Sequence, residues 1–255
     1  MTNIEEAARI LSAARREKQL LQSLPASCKL ANNDEALVVQ RRIMELLGDP
    51  IGGWKAALPQ PRGPFLAPLP ASAIISKSPC PILLHDGVAK IEPEIAFVIG
   101  NDLPPREQPY DEGDLRRAFA RAHMVLELIG SRFSDPAAVP FPENLADCIQ
   151  NQALFVGPEV PNAFERKLDS LRIRIASPEA VVFERDTQHP SGHPLTPLVW
   201  LANFLSGRKE TLRAGQIVTT GSYPGGVVVV PIDMPLTIEY GGVGSLSVRF
   251  VDGRS

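Results

Sequence analysis

Twenty-five of the 255 residues are proline, about twice the usual share of roughly 5%. Inside a helix, proline removes a hydrogen bond and clashes with the preceding turn. A chain so punctuated cannot be mostly long helix. Its densest stretch, residues 51–81, carries Pro59, Pro61, Pro64, Pro68, Pro70, Pro79 and Pro81 and reads as a traverse with short extended pieces such as Ala73–Ser76. Before it lie two helical patterns. Ile4, Ala7, Leu11, Ala14, Leu21 and Leu24 recur at helical spacing over Asn3–Leu24. A second helix starts with Asn33 or Asp34 as cap and stops at Gly48.

After residue 72 strands dominate the pattern. A turn is expected at His85-Asp86-Gly87, then strands over Val88–Ile99, Met124–Ile129, Leu154–Val156, Leu171–Ile175 and Ala180–Phe183. Two helices interrupt them: Asp111–Arg121, and Leu198–Leu205 with Thr196 as N-cap and Pro197 at the first position. The tail alternates strands with glycine turns: Ile217–Thr220, Val227–Val230, Leu236–Tyr240 and Ser245–Val251. The class is α+β. The expected organisation is a helical segment, residues 1–50, packed on one unit of residues 51–255.

The net charge is −3, so nothing favours a phosphate backbone and no nucleic-acid partner is expected. Cys28, Cys80 and Cys148 are odd in number and far apart. They form no C-x-x-C pair, which fits a reducing, cytoplasmic setting. The start, MTNIEEAARI, lacks the apolar run of a signal peptide. No segment is long enough to span a membrane. G-x-G-x-x-G, P-loop and G-x-S-x-G motifs are missing, which removes the common dinucleotide, nucleotide and serine-hydrolase readings.

Five features carry chemistry. In Ile91-Glu92-Pro93-Glu94-Ile95-Ala96, strand alternation puts Glu92 and Glu94 on one face. They read either as solvated carboxylates on an edge strand, a position Pro93 favours, or as ligands of a hard cation. In Met124-Val125-Leu126-Glu127-Leu128-Ile129, one carboxylate sits in an apolar run. It needs a partner, either Arg132 or Arg121, or a metal. With Glu92 and Glu94 it makes an oxygen-rich set suited to Mg²⁺ or Mn²⁺. Lys55, in Gly52-Gly53-Trp54-Lys55, is either a loop lysine or an ammonium facing a pocket. His193 is either an acid or base, or a tie for the loop before a helix. Ser222, after Thr219-Thr220-Gly221, sits where a strand end offers an N–H and a hydroxyl to an anionic ligand. His85, His123 and His189 have no partner at metal spacing.

In order along the chain, Glu92-Pro-Glu94-Ile-Ala-Phe-Val, Leu126-Glu127-Leu-Ile-Gly-Ser-Arg132-Phe, Leu145-Ala-Asp147, Ser191-Gly-His193-Pro-Leu, Trp200-Leu-Ala-Asn and Leu212-Arg-Ala-Gly-Gln-Ile-Val-Thr-Thr-Gly221-Ser222 form a specific set. It resembles the fumarylacetoacetate hydrolase superfamily, in its 2-oxopent-4-enoate hydratase and 4-oxalocrotonate decarboxylase branch. The resemblance implies a mixed sheet curled into a barrel-like roll with N-terminal and peripheral helices. It implies Mg²⁺ or Mn²⁺ on Glu92, Glu94 and Glu127, polarising the carbonyl of a small 2-oxo acid. The glutamate at 127, where hydrolases of the superfamily tend to carry aspartate, points to the hydratase and decarboxylase branch. Lys55 and Ser222 align with residues near the substrate, and Asp147 is the candidate general base. A homo-oligomer is also implied.

The chain departs from that pattern in one place. The lysine segment runs Lys55-Ala-Ala-Leu-Pro-Gln in place of Gly-x-Thr-Ser, and the next segment is shortened to Pro59-Gln-Pro-Arg-Gly-Pro-Phe-Leu. The first reading is a hydratase adding water to a 2-hydroxy-2,4-dienoate in aromatic catabolism. The rivals are decarboxylation of a 2-oxo-enedioate, C–C hydrolysis, and a non-catalytic binding subunit. The altered lysine loop favours the last, and retention of three glutamates disfavours it. A dicarboxylate substrate needs an extra cation, and Arg62 is the candidate.

Overall fold

In a computed structural model, residues 2–85 and 87–254 are described. Helices α1 (Ile4–Glu17) and α2 (Asn33–Leu47) lead into the strands. These are β1 (Ile51–Gln60), β2 (Gly63–Pro70), β3 (Ile74–Ile75), β4 (Cys80–Ile82), β5 (Ala89–Ile99), β6 (Phe119–Ile129), β7 (Asn151–Glu159), β8 (Ser170–Ala176), β9 (Val181–Gln188), β10 (Ile217–Thr219), β11 (Val228–Val230), β12 (Pro235–Tyr240) and β13 (Gly244–Asp252). Helices α3 (Glu112–Ala118), α4 (Phe141–Ala146) and α5 (Leu195–Gly207) lie between strands.

One sheet runs β2-β1-β10-β5-β6-β7-β3, with β11 also paired to β5; the other runs β4-β13-β12-β8-β9. Pairs β1/β10, β3/β7 and β4/β13 are parallel and the rest antiparallel. The result is the expected mixed sheet, curled into a half-barrel. The sheets meet where Leu246 and Met124 crowd Gly157 and where the Tyr240 hydroxyl donates to the Val125 carbonyl at 2.7 Å.

Several expectations shift. Helix α1 is capped by Asn3, whose side chain accepts from Glu6 N–H, but it ends at Glu17 because Lys18 turns left-handed at φ +56°. Leu21 and Leu24 leave the helix. Leu21 bridges to Phe133, and Leu24 is buried. Helix α2 stops at Gly48 as expected, but its cap is Asn32 in place of Asn33 or Asp34, because the Asn32 side chain accepts the Glu35 N–H at 3.0 Å. Helix α5 starts at Leu195, ahead of Thr196, because His193 Nδ1 accepts the Leu195 N–H at 3.1 Å. Asp86, inside the expected turn, lies outside the described residues, while His85 and Val88 pair across it.

The largest difference is in the proline traverse, which is the hairpin β1/β2. Strand β2 forms the edge of its sheet, so Pro64, Pro68 and Pro70 withhold donors that an edge does not need. Strand β1 lies one place inside and approaches β10 closely. A Cβ on Gly53 would meet the Ile217 carbonyl oxygen at 2.3 Å, and one on Gly52 would meet Ala71 at 2.7 Å. The glycine pair thus sets the approach of β1 to β10.

Replacing Gly53 with alanine should cost about 3 kcal/mol and lower Tm by roughly 10 °C in a thermal melt. Gly48→Ala has a positive φ but open space and should cost only about 1 kcal/mol. Equal losses would contradict the close-approach account.

Candidate metal centre and its cavity

Strand register assembles the site. Glu92 on β5 lies directly opposite Glu127 on β6, and Glu94 lies two residues along on the same face. Lys55 on β1 pairs with Thr219 on β10, and Thr219 pairs with Ala96 on β5. Four adjacent strands therefore point Lys55, Thr219, Glu94, Glu92 and Glu127 to one side. Each glutamate offers an oxygen, and these ligand atoms all lie within 4.8 Å of one another.

The edge-strand reading of Glu92 and Glu94 is overturned. Strand β5 is central, with β6 on one side and β10 and β11 on the other. Pro93 is tolerated because β10 pairs only with residues 96–98 and β11 only with residues 89–91. Pro93 faces the gap between them. There its carbonyl accepts the Tyr223 N–H at 3.1 Å, so its missing N–H interrupts no ladder.

Glu94 and Glu127 are buried, and Glu92 is half-buried. Glu94 Oε2 accepts from the Thr219 hydroxyl, and from Gly221 N–H at 2.8 Å. Glu127 Oε1 meets Lys55 Nζ at 2.6 Å and accepts from Asn151 Nδ2 at 2.9 Å. Neither arginine expected as a partner takes that place. Lys55 is a strand residue, only 6% exposed, and it also donates to the Ile149 carbonyl at 3.2 Å. Glu92 has no hydrogen-bond or ion-pair partner among the described residues.

The electrostatics follow from crowding. Burial, then the charge of Glu127, raise Glu92 to about 7 against the pull of Lys55. Burial, then Glu127 and Glu92, raise Glu94 to about 8, although Thr219 and Gly221 pull the other way. Burial pushes Lys55 down, but Glu127, Glu92 and Glu94 together hold it above its ordinary value. Three carboxylates and one ammonium leave two negative charges uncompensated. A hard divalent cation, bound through carboxylate oxygens, fits both the deficit and the donor set.

Of the remaining predicted site residues, Ser222 lines the same cavity of about 380 Å³, together with Lys55 and the three glutamates. Its hydroxyl donates to the Gly226 carbonyl at 2.8 Å. Asp147 is not brought there. One carboxylate oxygen takes Arg132 Nε; the other accepts the Ser131 hydroxyl at 3.0 Å and Arg132 N–H at 2.9 Å. Both oxygens are engaged and the buried group is not among the residues lining the cavity, so the structure does not bring Asp147 to the place expected of a general base. What it anchors matters. Cys148, Ile149 and Gln150 all have positive φ, at 56°, 49° and 60°, a conformation costly for three successive non-glycine residues. That turn presents the Ile149 carbonyl to Lys55 and leads to Asn151, which holds Glu127.

His193 ties the loop before α5. His189 is buried and is lowered to about 4 by burial and then by His193, so it is neutral. Asn151 and the Ile149 carbonyl escaped sequence reasoning because they act through a left-handed turn that no local pattern announces. Thr219 was visible only as part of a Gly-Ser turn.

A model of the fumarylacetoacetate (FAA) hydrolase C-terminal domain matches residues 52–251. The chain belongs to the fumarylacetoacetate hydrolase family. A 4-oxalocrotonate decarboxylase from Pseudomonas putida is 31% identical over 172 residues, 68% of this chain and 62% of the relative. A 2-keto-4-pentenoate hydratase from Paraburkholderia xenovorans (strain LB400) is 30% identical over 171 residues, 66% of this chain and 60% of the relative. These matches thus span about three fifths of each relative. A 2-oxo-hept-4-ene-1,7-dioate hydratase from Escherichia coli matches over more of its length, with 28% identity across 94% of this chain and 95% of that one. Among solved structures, 4-oxalocrotonate decarboxylase from Pseudomonas putida G7, complexed with magnesium and adipate, superposes with a TM-score of 0.78. It has 22% identity and covers 97% of each chain, a likeness of fold. This family member, among its described residues, has no helix long and apolar enough to cross a membrane.

The raised glutamates fix a pH dependence. Stability from holding their protons is complete below the ordinary value of 4.5 and lost as pH rises through about 7 and 8. Metal-free protein should lose ~2 kcal/mol or more between pH 5 and 8.5. Saturating Mg²⁺ should cancel the decline and release about two protons per ion near pH 6. Calorimetry in buffers of different ionisation enthalpy checks both. A pH-flat stability with no proton release would contradict the assignment.

Proposed function

We propose that this protein is a divalent-metal-dependent hydratase. It adds water to a 2-hydroxy-2,4-dienoate, the enol form of a 2-oxo-4-enoate, by ketonisation to the conjugated 2-oxo-alkene and attack of water at C4, to give a 4-hydroxy-2-oxo acid in aromatic catabolism. The observation that carries the reading is the convergence of Glu92, Glu94 and Glu127 beside a protonated, buried Lys55 in one cavity. The named relatives, hydratases and decarboxylases, support it.

Glu92, Glu94 and Glu127 would hold Mg²⁺ or Mn²⁺, and such an ion, when bound, polarises a chelated 2-oxo carboxylate. Thr219 and Gly221 keep Glu94 oriented by donating to Oε2. Lys55 stays cationic, so it serves as a donor and not as a base. Two of its three N–H groups go to Glu127 and Ile149, and the third is left for a substrate oxygen. Ser222 Oγ, with its proton on Gly226, keeps lone pairs to accept from the incoming water or the product hydroxyl. Glu92 has no protein partner, so its oxygens are left for the ion. Phe65, Ile129, Ile149 and Val227 line the cavity. They suit a short hydrocarbon chain.

Residues 1–50 complete the unit as a helical segment against the hairpin edge, where buried Gln40 donates to the Leu66 carbonyl at 3.1 Å. The proposal includes a homo-oligomer with a small 2-oxo acid substrate. The three cysteines are free and buried, which fits a reducing, cytoplasmic compartment.

With Mg²⁺ or Mn²⁺, purified protein should remove the absorbance of 2-hydroxypenta-2,4-dienoate and form 4-hydroxy-2-oxopentanoate, and a chelator should stop it. Glu94→Gln should weaken Mn²⁺ binding by ~100-fold or more and abolish turnover. Lys55→Met should keep or tighten Mn²⁺ binding while lowering kcat by about 10²–10⁴-fold. Loss of dienoate unaffected by chelator, or full activity in Glu94→Gln, would overturn the reading.

A further inference from the structure

We infer that a second cavity, walled by the last turn of α1 and by Arg132, binds a small organic carboxylate carried on an apolar body. The site shares no lining residue with the glutamate cavity and stands independently of the reaction proposed above.

This cavity, of about 400 Å³, lies where the end of α1 meets β3, β4 and β7. Arg15, Arg16, Lys18 and Arg132 line it, against one carboxylate, Asp49. Arg132 is answered by Asp147, which is outside the lining. Arg15 and Lys18 spend hydrogen bonds on backbone carbonyls, and neither they nor Arg16 make an ion pair with a described residue. Asp49 turns to Ser72, accepting its N–H at 3.1 Å and its hydroxyl. Four cations and two carboxylates leave two positive charges uncompensated. The glutamate cavity has the opposite deficit.

Cations in the last turn of a helix suit its dipole, and that accounts for the exposed Arg16. It does not account for the meeting of Arg15 with Arg132. Arg15 Nη2 and Arg132 Nη1 donate to one oxygen, the Asn151 carbonyl, at 2.7 and 2.8 Å. Two guanidiniums therefore sit side by side, and that of Arg132 is only 3% exposed. Burial, then the charge of Arg132, pull Arg15 down to about 10. An anion bridging the pair relieves that repulsion.

The donors are held in place. Arg15 Nη1 donates to the Gln152 carbonyl at 3.2 Å, and Arg132 is fixed on Asp147 through Nε and Nη2. The Gln152 side chain is itself pinned, accepting the Leu83 N–H at 2.8 Å and donating to the Ile129 carbonyl at 3.0 Å. A guanidinium has five N–H groups, and these bonds leave donors over on both arginines. Leu47, Pro70, Ile75, Pro81 and Leu83 make much of the remaining wall apolar. Inorganic phosphate would leave that wall wet. A carboxylate on a ring or short hydrocarbon covers it and sets its oxygens on the paired guanidiniums.

The probes are benzoate and 4-bromobenzoate, used on the full chain. In crystals soaked with 4-bromobenzoate, a bromine anomalous peak should lie in this cavity, with the carboxylate on Arg15 and Arg132. In solution, calorimetry should give benzoate a Kd of about 1 mM or tighter. Benzyl alcohol keeps the ring and drops the charge, and inorganic phosphate does the reverse. Each should bind about tenfold more weakly than benzoate. Arg15→Met should weaken benzoate about tenfold. Arg16→Glu, at an exposed position that leaves the fold intact, should weaken it about threefold or more. No bromine in this cavity, or benzoate affinity untouched by both substitutions, would overturn the site. A peak in the soaked crystal without measurable affinity in solution is binding at crystal concentration only and would also overturn it, as would a second copy of the chain filling the cavity. Phosphate binding as tightly as benzoate would overturn the apolar-bodied ligand.

Discussion

Three carboxylates held within 4.8 Å of one another, two of them buried, set the terms for the rest of this protein. Like charges directly across an antiparallel pair destabilise a sheet, and here Glu92 faces Glu127 on the two central strands. The chain offers one opposing charge, Lys55, itself buried at a cost. The residual deficit is met by protons, which explains why Glu92 and Glu94 titrate near 7 and 8, or by a divalent cation. A cluster so unfavourable for stability is the kind of local conflict expected at a functional site.

The backbone around the cluster is equally constrained. Gly53 lets β1 close on β10, which brings Lys55 alongside Thr219. The gap between β10 and β11 accommodates Pro93 and receives the loop that donates Gly221 N–H to Glu94. Behind Glu127, the Asp147–Arg132 pair fixes a turn of three left-handed residues. Arg132 Nη1 also donates to the Asn151 carbonyl at 2.8 Å. Asp147 thus acts through Asn151 on Glu127 without lining the cavity. Its carboxylate, with both oxygens engaged, holds that geometry.

Much of this was legible in the sequence because it follows from spacing. The alternation of Glu92 and Glu94, the isolated Glu127 in an apolar run and the ordered segments shared with the fumarylacetoacetate hydrolase family all survive in the structure. What escaped depends on position within a sheet, and a local pattern does not carry that. Pro64, Pro68 and Pro70 read only as a traverse closed to helix and are edge-strand residues, whereas Pro93 reads as an edge residue and is central. Helix α1 stopped seven residues short of Leu24 because Lys18 adopts a left-handed cap, although apolar spacing continued past it. Asn151 drew no notice, since its contact with Glu127 exists only once the left-handed turn has formed.

Whether the three glutamates form a divalent cation site is read most directly by anomalous diffraction from crystals grown with Mn²⁺. The account predicts one strong peak within ligand distance of Glu92, Glu94 and Glu127, with Lys55 beside it. Strong peaks elsewhere, or none at the cluster while Lys55 still spans to Glu127, would contradict it.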